Sequence, residues 1–254
     1  MFPMRKFVYF LALLPVLAFA SQGEKPTERA DGEAHYKVQY IRGGIRTKMA
    51  TAMLTMSDTS WKGTPACAAR FSVEAASVFK LFLRNEYKVD LILSREDLSP
   101  YYYSFPHVKK GKMHHLEFFY GENEVESVLQ IEDTPEPVRK VHPKNGLVTL
   151  DVASFAFYFL NLDPASLPDK PMRVQVLMGS TDVFAFLSYL GKDTTFWKGE
   201  SCFHYVLKME DRGLLENKSG DEIHVWISSG AERSLRGLEI QLDKGSIVAK
   251  MLEE

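Results

Sequence analysis

The sequence predicts a mainly β protein built on an antiparallel sheet, with one or two short helices. Three observations carry that prediction. Apolar residues recur at every second position in run after run, the pattern of strands with one buried face. Clusters of Gly, Pro, Asn and Asp separate most of these runs at spacings that suit antiparallel connections rather than βαβ crossovers. One stretch, Asp151 to Leu162, is apolar all round and long enough for a three-turn helix. A helix with no polar face has to be covered, so it belongs under or inside a curved sheet.

In chain order, the N-terminus carries the three parts of a secretory signal: Arg5 and Lys6, an apolar run from Phe7 to about Leu17, and the small-x-small site Ala18-Phe19-Ala20. Cleavage is expected after Ala20, with no membrane span left, since the apolar run is shorter than the roughly 20 residues a spanning helix needs. Residues 21–33 are polar, have little to bury and are expected to be a disordered lead-in. Residues 34–254 are expected to form a single β-rich domain. Tyr36, Val38 and Tyr40 share one face of a strand that Gly43-Gly44 ends, and Met49 to Met56 forms a second. Ser77 to Leu83 breaks the period and reads as a short helical turn that Ser77 can cap. Strand patterns return at Val89/Leu91/Leu93, Leu116/Phe118/Tyr120 and Leu129/Ile131. The apolar helix follows, with Asp151 as its N-cap and Asp163-Pro164 as its stop. Met172/Val174/Val176, Ile223/Val225/Ile227 and Ile247/Ala249/Met251 complete the series.

Composition narrows the function. Loss of residues 1–20 takes the balance from 31 Lys+Arg against 33 Asp+Glu to 29 against 33, a formal charge of about −4. That argues against nucleic acid, which needs a concentrated basic face. The compact basic cluster, Lys109-Lys110-Gly111-Lys112, lies between two strand patterns and reads as a hairpin tip. No His-Glu-x-x-His, Gly-x-Ser-x-Gly, glycine-rich phosphate loop or Cys-x-x-Cys occurs, so the sequence names no catalytic residue, no metal ligand and no cofactor.

Two stretches raise a specific question. Trp61-Lys62-Gly63 precedes Cys67, and Trp197-Lys198-Gly199 precedes Cys202, and these are the two cysteines of the chain. The halves share no further register, which argues against a duplication. In an oxidising compartment Cys67 and Cys202 are candidates for a disulfide, which would close a loop worth roughly 4 to 5 kcal/mol from chain entropy. The alternative is two buried thiols. His204 shares a strand face with Cys202, the pairing a reactive thiolate would need, against the plainer reading of a half-buried strand face. His114-His115 with His107 could suggest a metal, but neighbours on a strand face opposite ways. The segment Ser99 to His107 places Tyr101, Tyr102 and Tyr103 between prolines. These tyrosines form either a platform for sugars or lipids or an edge strand covering a core, and Trp197 and Trp226 carry the same two readings.

The order of "YKVQYIRGGI", "FKLFLRNEYKVDLIL", "DVASFAFYFLNLDP" and the closing "EIHVWISSGAERSLRGLEIQLDKGSIVAKM" resembles domain-of-unknown-function family 3108, a group of exported Gram-negative proteins, from about Ala34 to Met251. The resemblance implies an antiparallel sheet strongly curved into a roll or partial barrel, located in the periplasm. It brings no activity. Ser229-Gly230 and Leu235 stand where the family commonly has acidic residues and a proline. The resulting expectation is a non-catalytic periplasmic protein that binds a lipid, polysaccharide or other envelope component. The alternatives are an assembly factor docking on an envelope protein such as outer-membrane or capsule machinery, and a hydrolase using Cys202 and His204.

Overall fold

The structure, a computed structural model, describes residues 32–77, 87–179, 181–210, 222–231, 233–242 and 244–252. Its first half is a run of strands: β1 (Gly32–Arg42), β2 (Ile45–Trp61), β3 (Thr64–Ala75) and β4 (Tyr87–Ser94), then β5 (Pro100–Lys109), β6 (Lys112–Tyr120), β7 (Glu124–Ile131) and β8 (Val138–Pro143). A three-residue strand β9 (Thr149–Asp151) leads directly into helix α1 (Val152–Asn161). After a 3-10 turn come β10 (Met172–Met178), β11 (Thr181–Asp193), β12 (Cys202–Met209), β13 (Glu222–Ser228), β14 (Leu235–Leu242) and β15 (Gly245–Met251).

The fifteen strands of the described residues join one sheet in the order β8-β7-β6-β5-β4-β3-β2-β1-β15-β14-β13-β12-β11-β10-β9. The chain therefore meanders outward from β1 to β8, returns through α1, and meanders back until β15 pairs with β1, Tyr36 opposite Met251. Neighbours run antiparallel, save for β9 beside β10. An up-and-down path of this kind puts alternate turns at the same end of the sheet. Gly43-Gly44 between β1 and β2 and Lys110-Gly111 between β5 and β6 lie at one end, and Lys62-Gly63 between β2 and β3 lies at the other.

Alternation decides which side is inside. Tyr36 and Val38 on β1, Phe71 and Val73 on β3, Val89 and Leu91 on β4, and Val225 and Ile227 on β13 are all buried on the concave face. Helix α1 fills that concavity, with Phe155, Phe157 and Phe159 each 2 % exposed or less. Phe157 meets Phe71 edge-on at 5.8 Å and Phe159 tilts against Tyr205 at 5.3 Å, so one helix contacts strands from both halves. Burying three such rings is worth about 2 kcal/mol each, and the sheet gains a core it could not build from its own face alone. Asp151 starts the helix as expected, its Oδ1 accepting from the Ala153 and Ser154 amides at 2.8 and 3.0 Å.

Side chains join the two ends of the sheet. Tyr120 on β6 donates to Asp151 Oδ2 at 2.7 Å, and the Asp151 amide donates back to Tyr120 Oη at 2.8 Å. On β8, the His142 imidazole bonds to Asp182 on β11, and Lys140 Nζ lies 3.3 Å from the same carboxylate. Curling the sheet thus brings strands from opposite ends of the strand order within hydrogen-bond reach.

Two expectations need adjustment. Gly32 and Glu33, placed in the lead-in by composition, pair with Met56 and Thr55 in β1. The second strand runs on past Met56 to Trp61, because β3 continues to pair with it through a polar stretch. The helical turn expected from Ser77 falls, beyond Ser77 itself, outside the described residues, as does the lead-in before Gly32. No helix among the described residues is long and apolar enough to cross a membrane.

Candidate functional site

The convex face of β3 to β6 carries two parallel rungs of side chains. Register sets Arg70 opposite Asp90, Asp90 opposite Ser104 and Ser104 opposite Glu117. One step toward the β2–β3 turn, Ala68, Ile92, Tyr102 and Phe119 stand in the same relation. The first rung is polar and hydrogen-bonded: Arg70 Nε donates to Asp90 Oδ1 at 2.6 Å, and Ser104 Oγ lies 2.7 Å from His115 Nε2. The second is apolar and half-buried. Tyr102 ties the two together, since its hydroxyl donates to Glu117 while its ring lies 5.2 Å from that of Phe119. Burial, followed by the bond to Glu117, pushes the Tyr102 hydroxyl up to about 12, so it remains a donor at any physiological pH.

Trp61 extends the apolar rung. It is the last residue of β2, and the tight turn at Lys62 (φ 50°) and Gly63 (φ 85°) lets it lean across the sheet and stack on Tyr102 at 5.5 Å. Lys62 Nζ sits 5.5 Å from the Trp61 centroid. The result is a half-exposed aromatic strip, Trp61–Tyr102–Phe119, bordered by a row of hydrogen-bonding groups. Stacked ring faces beside fixed polar donors and acceptors suit a ligand with both apolar and hydroxyl faces.

Of the three tyrosines, Tyr102 alone belongs to this strip. Tyr103 points the other way and is 5 % exposed, packed on Phe118 at 5.2 Å. Tyr101 is half-buried on β5, and the segment is strand from Pro100 onward. The reason is the pleat: three consecutive residues of a strand cannot share a face.

The second Trp-Lys-Gly stretch builds something different. Residues 193–201 cross the convex face of β12 to β15 as a strap, and Trp197 and Trp226 lie under it, 6 % and 5 % exposed. Phe196 stacks flat on Trp226 at 3.9 Å, and His204 covers the opposite face of Trp226 at 4.5 Å. Asp193 holds the strap down: Oδ1 accepts from the Thr195 amide at 2.6 Å and the Thr195 hydroxyl at 2.7 Å, and Oδ2 accepts from Trp226 Nε1 at 2.8 Å. Lys250 donates to the Phe196 carbonyl at 2.6 Å, and Arg236 pairs with Glu200 at 2.7 Å. Gly237 is required beneath it, because a Cβ there would lie 2.5 Å from Phe196 Cε1 and 2.8 Å from the Ala249 carbonyl. With both faces of Trp226 covered, this cluster is packing, and the platform reading of Trp197 and Trp226 is withdrawn.

The cysteines sit in separate apolar clusters, Cys67 in the main core and Cys202 with Trp197 and Trp226, and they are not bridged. Cys67 lies on β3 and Cys202 on β12, with five strands between them in the sheet order. The Cys202 thiol is pushed up to about 11, by burial first and then by Glu200. His204 turns from it to His224, Nε2 to Nδ1 at 3.0 Å. Burial and Glu200 outweigh the nearby Arg236 and Lys250 charges, so the setting does not favour the thiolate a nucleophilic cysteine needs. His107 and His114 stack at 5.3 Å, while His115 bonds Ser104 on the convex face, so the three do not converge. Among the described residues no group of three or more His, Cys, Asp or Glu could hold a metal ion.

Sequence reading missed Trp61, Phe119 and Glu117 as partners of Tyr102, and missed Ser127–His142–Asp182. In the latter, His142 Nε2 lies 2.8 Å from Ser127 Oγ while Nδ1 bonds Asp182. The order matches a hydrolase triad, but Ser127 and His142 are 2 % and 0 % exposed, and Ser127 Oγ also donates to the Lys140 carbonyl at 3.3 Å.

Fold and surface together define a β-barrel-like protein: a curled antiparallel meander around one buried helix. The chain belongs to the family described as "Protein of unknown function (DUF3108)", whose family model matches residues 35–252. Among solved structures it is similar to the "Beta-barrel-like Protein of Domain of Unknown Function DUF1849" from Brucella abortus, at 8% sequence identity and a TM-score of 0.50, over 87% of this chain and 95% of that one. At that identity the likeness is one of fold. No curated protein matches the chain. The Ser229-Gly230 and Leu235 departures fall at the β13–β14 connection, where the Ser234 amide donates to Ser228 Oγ at 2.7 Å and Leu235 is fully buried.

Proposed function

We propose that this is an exported, non-catalytic protein that binds a glycan of the cell envelope on the convex strip Trp61–Tyr102–Phe119. The observation behind the proposal is the pairing of the two rungs: half-exposed aromatic rings beside Arg70, Asp90, Ser104 and Glu117, the rungs held in register by four strands. Sugars present C–H faces that stack on aromatic rings and hydroxyls that need fixed partners, and both needs are met within one patch. Export rests on the signal-like segment at residues 1–20. The interior offers less support for a lipid cavity, since α1 occupies the concave side.

The test is calorimetric titration of residues 21–254 with muropeptides, lipopolysaccharide core oligosaccharide and capsular polysaccharide. Binding to one class should weaken at least about tenfold in Trp61→Ala and Tyr102→Phe, which remove a stacking face and the hydroxyl that holds Glu117 in place respectively. Binding that survives both changes, or absence of binding to every glycan tried, overturns the proposal.

A further inference from the structure

We propose that the end of the sheet opposite Trp61 docks on an anionic phospholipid surface. The meander gathers the β1–β2 and β5–β6 turns at that end, along with the start of β8. Among the described residues seven large apolar side chains are exposed, and four of them lie here: Ile45 at 72%, Val138 at 56%, Met113 at 47% and Val108 at 36%. Val108 and Met113 are direct cross-strand partners, so they form one apolar step just behind the tip. Isolated exposed apolar residues are ordinary, but their concentration at one end marks an interaction surface.

Charge identifies the partner. The two hairpins carry Arg42, Arg46, Lys48, Lys109, Lys110 and Lys112, all exposed, and no acid lies in either tip. Among the described residues the acids beside these two tips are on the β7–β8 turn: Asp133 lies 3.5 Å from Lys112, and Glu132 accepts from the Met113 amide at 2.8 Å, leaving Glu136 further along, while Glu210 and Glu222, at the β12–β13 side of the same end, pair with Arg173 and Lys208. Both turns are tight, with Gly43 and Gly44 at φ 55° and 82° and Lys110 and Gly111 at φ 53° and 80°, so the tips are narrow. Strands β2 and β5 are three spacings apart, roughly 14 Å, which lets both tips touch one flat surface. Apolar residues that enter the headgroup boundary, ringed by Lys and Arg that pair with lipid phosphates, are the two components of interfacial binding. A neutral protein partner would use the apolar step and make no use of the positive charge around it.

This surface is separate from the glycan strip, and the experiment keeps the two apart. Residues 21–254 are sedimented with large vesicles of phosphatidylcholine alone or mixed with phosphatidylglycerol. Co-sedimentation is expected with the anionic vesicles, falling steeply as salt rises, and weak with phosphatidylcholine. Lys109→Glu with Lys110→Glu should reduce it about tenfold or more. Ile45→Asp with Met113→Asp should do the same, whereas Leu190→Asp, exposed elsewhere, and Trp61→Ala should leave it unchanged. Equal binding to both vesicle types, no binding to either, or indifference to the tip substitutions overturns the proposal.

Discussion

Asp182, the second residue of β11, accepts a hydrogen bond from the buried imidazole of His142 on β8, and His142 in turn holds Ser127 on β7. The strands involved stand near opposite ends of the sheet order, so this relay does what a backbone ladder does in a closed barrel. Lys140 beside the same carboxylate supplies its counter-charge. A buried imidazole with a partner on each nitrogen is fixed in place.

Replacing His142 with Ala should therefore destabilise the protein by about 3 kcal/mol, since it leaves a cavity beside Phe118 and takes one of two partners from the Ser127 hydroxyl. Asp182→Asn should cost less, because an amide oxygen can still accept from Nδ1. Urea denaturation of the three proteins checks the order. Ser127 should also stay unlabelled by a fluorophosphonate in the native protein, as its burial leaves no approach for a reagent.

The strap across β12–β15 has its own acid sensitivity. Burial pushes the Asp193 carboxyl up, but hydrogen bonds from Thr195, Trp226 and the Phe196 amide together outweigh it and bring the group down to about 2. A depressed carboxyl adds stability that is present above the unfolded value of about 3.9 and is lost as pH falls through the folded one. The melting-temperature gap between the native protein and Asp193→Asn should be full at pH 6 and close between about pH 4 and pH 2. A gap that stayed constant over that window would show that the carboxylate charge is not what holds the strap.

How much of this was legible in the sequence depends on the range of the interaction. Strands with one wet face, such as Tyr36/Val38/Tyr40, announce themselves by local alternation, and α1 does so by its lack of charge. Strand β3 did not, because alanines at 66, 68 and 69 blur its two faces, and β8 did not, because only His142 of its six residues is buried. The aromatic strip depends on Trp61 meeting Tyr102 three strands away in the sheet order. Period and composition carry no information about which residues a turn and a register bring together. The two Trp-Lys-Gly stretches show the limit directly, since one is a two-residue hairpin turn and the other a strap.

Cys202 should be inert. With its thiol pushed up to about 11 by burial and by Glu200, it stays protonated at pH 8, and iodoacetamide should leave it unmodified in the native protein. Both cysteines should react once the protein is unfolded in urea. Intact mass should be the same with and without reductant, and a loss of two hydrogens without reductant would reinstate the Cys67–Cys202 bridge.

Asp151 gives a pH dependence of the opposite sign. Its carboxyl is 1 % exposed, and burial raises it above the ordinary carboxylate range even though Ser154 and Tyr120 donate to it. A carboxyl raised in the folded state adds stability that is fully present below the unfolded value and is lost as pH rises through the folded one. The N-cap of α1 is thus less favourable charged than neutral. Asp151→Asn keeps an oxygen for the Ala153 and Ser154 amides and is always neutral, so its melting temperature should gain on that of the native protein as pH rises from 4 to 7. Asp151→Ala should lose about 1 to 2 kcal/mol at low pH, because the cap itself is gone. Parallel melting curves for the native and Asn proteins across that range would show that desolvation of this carboxylate does not govern the helix start.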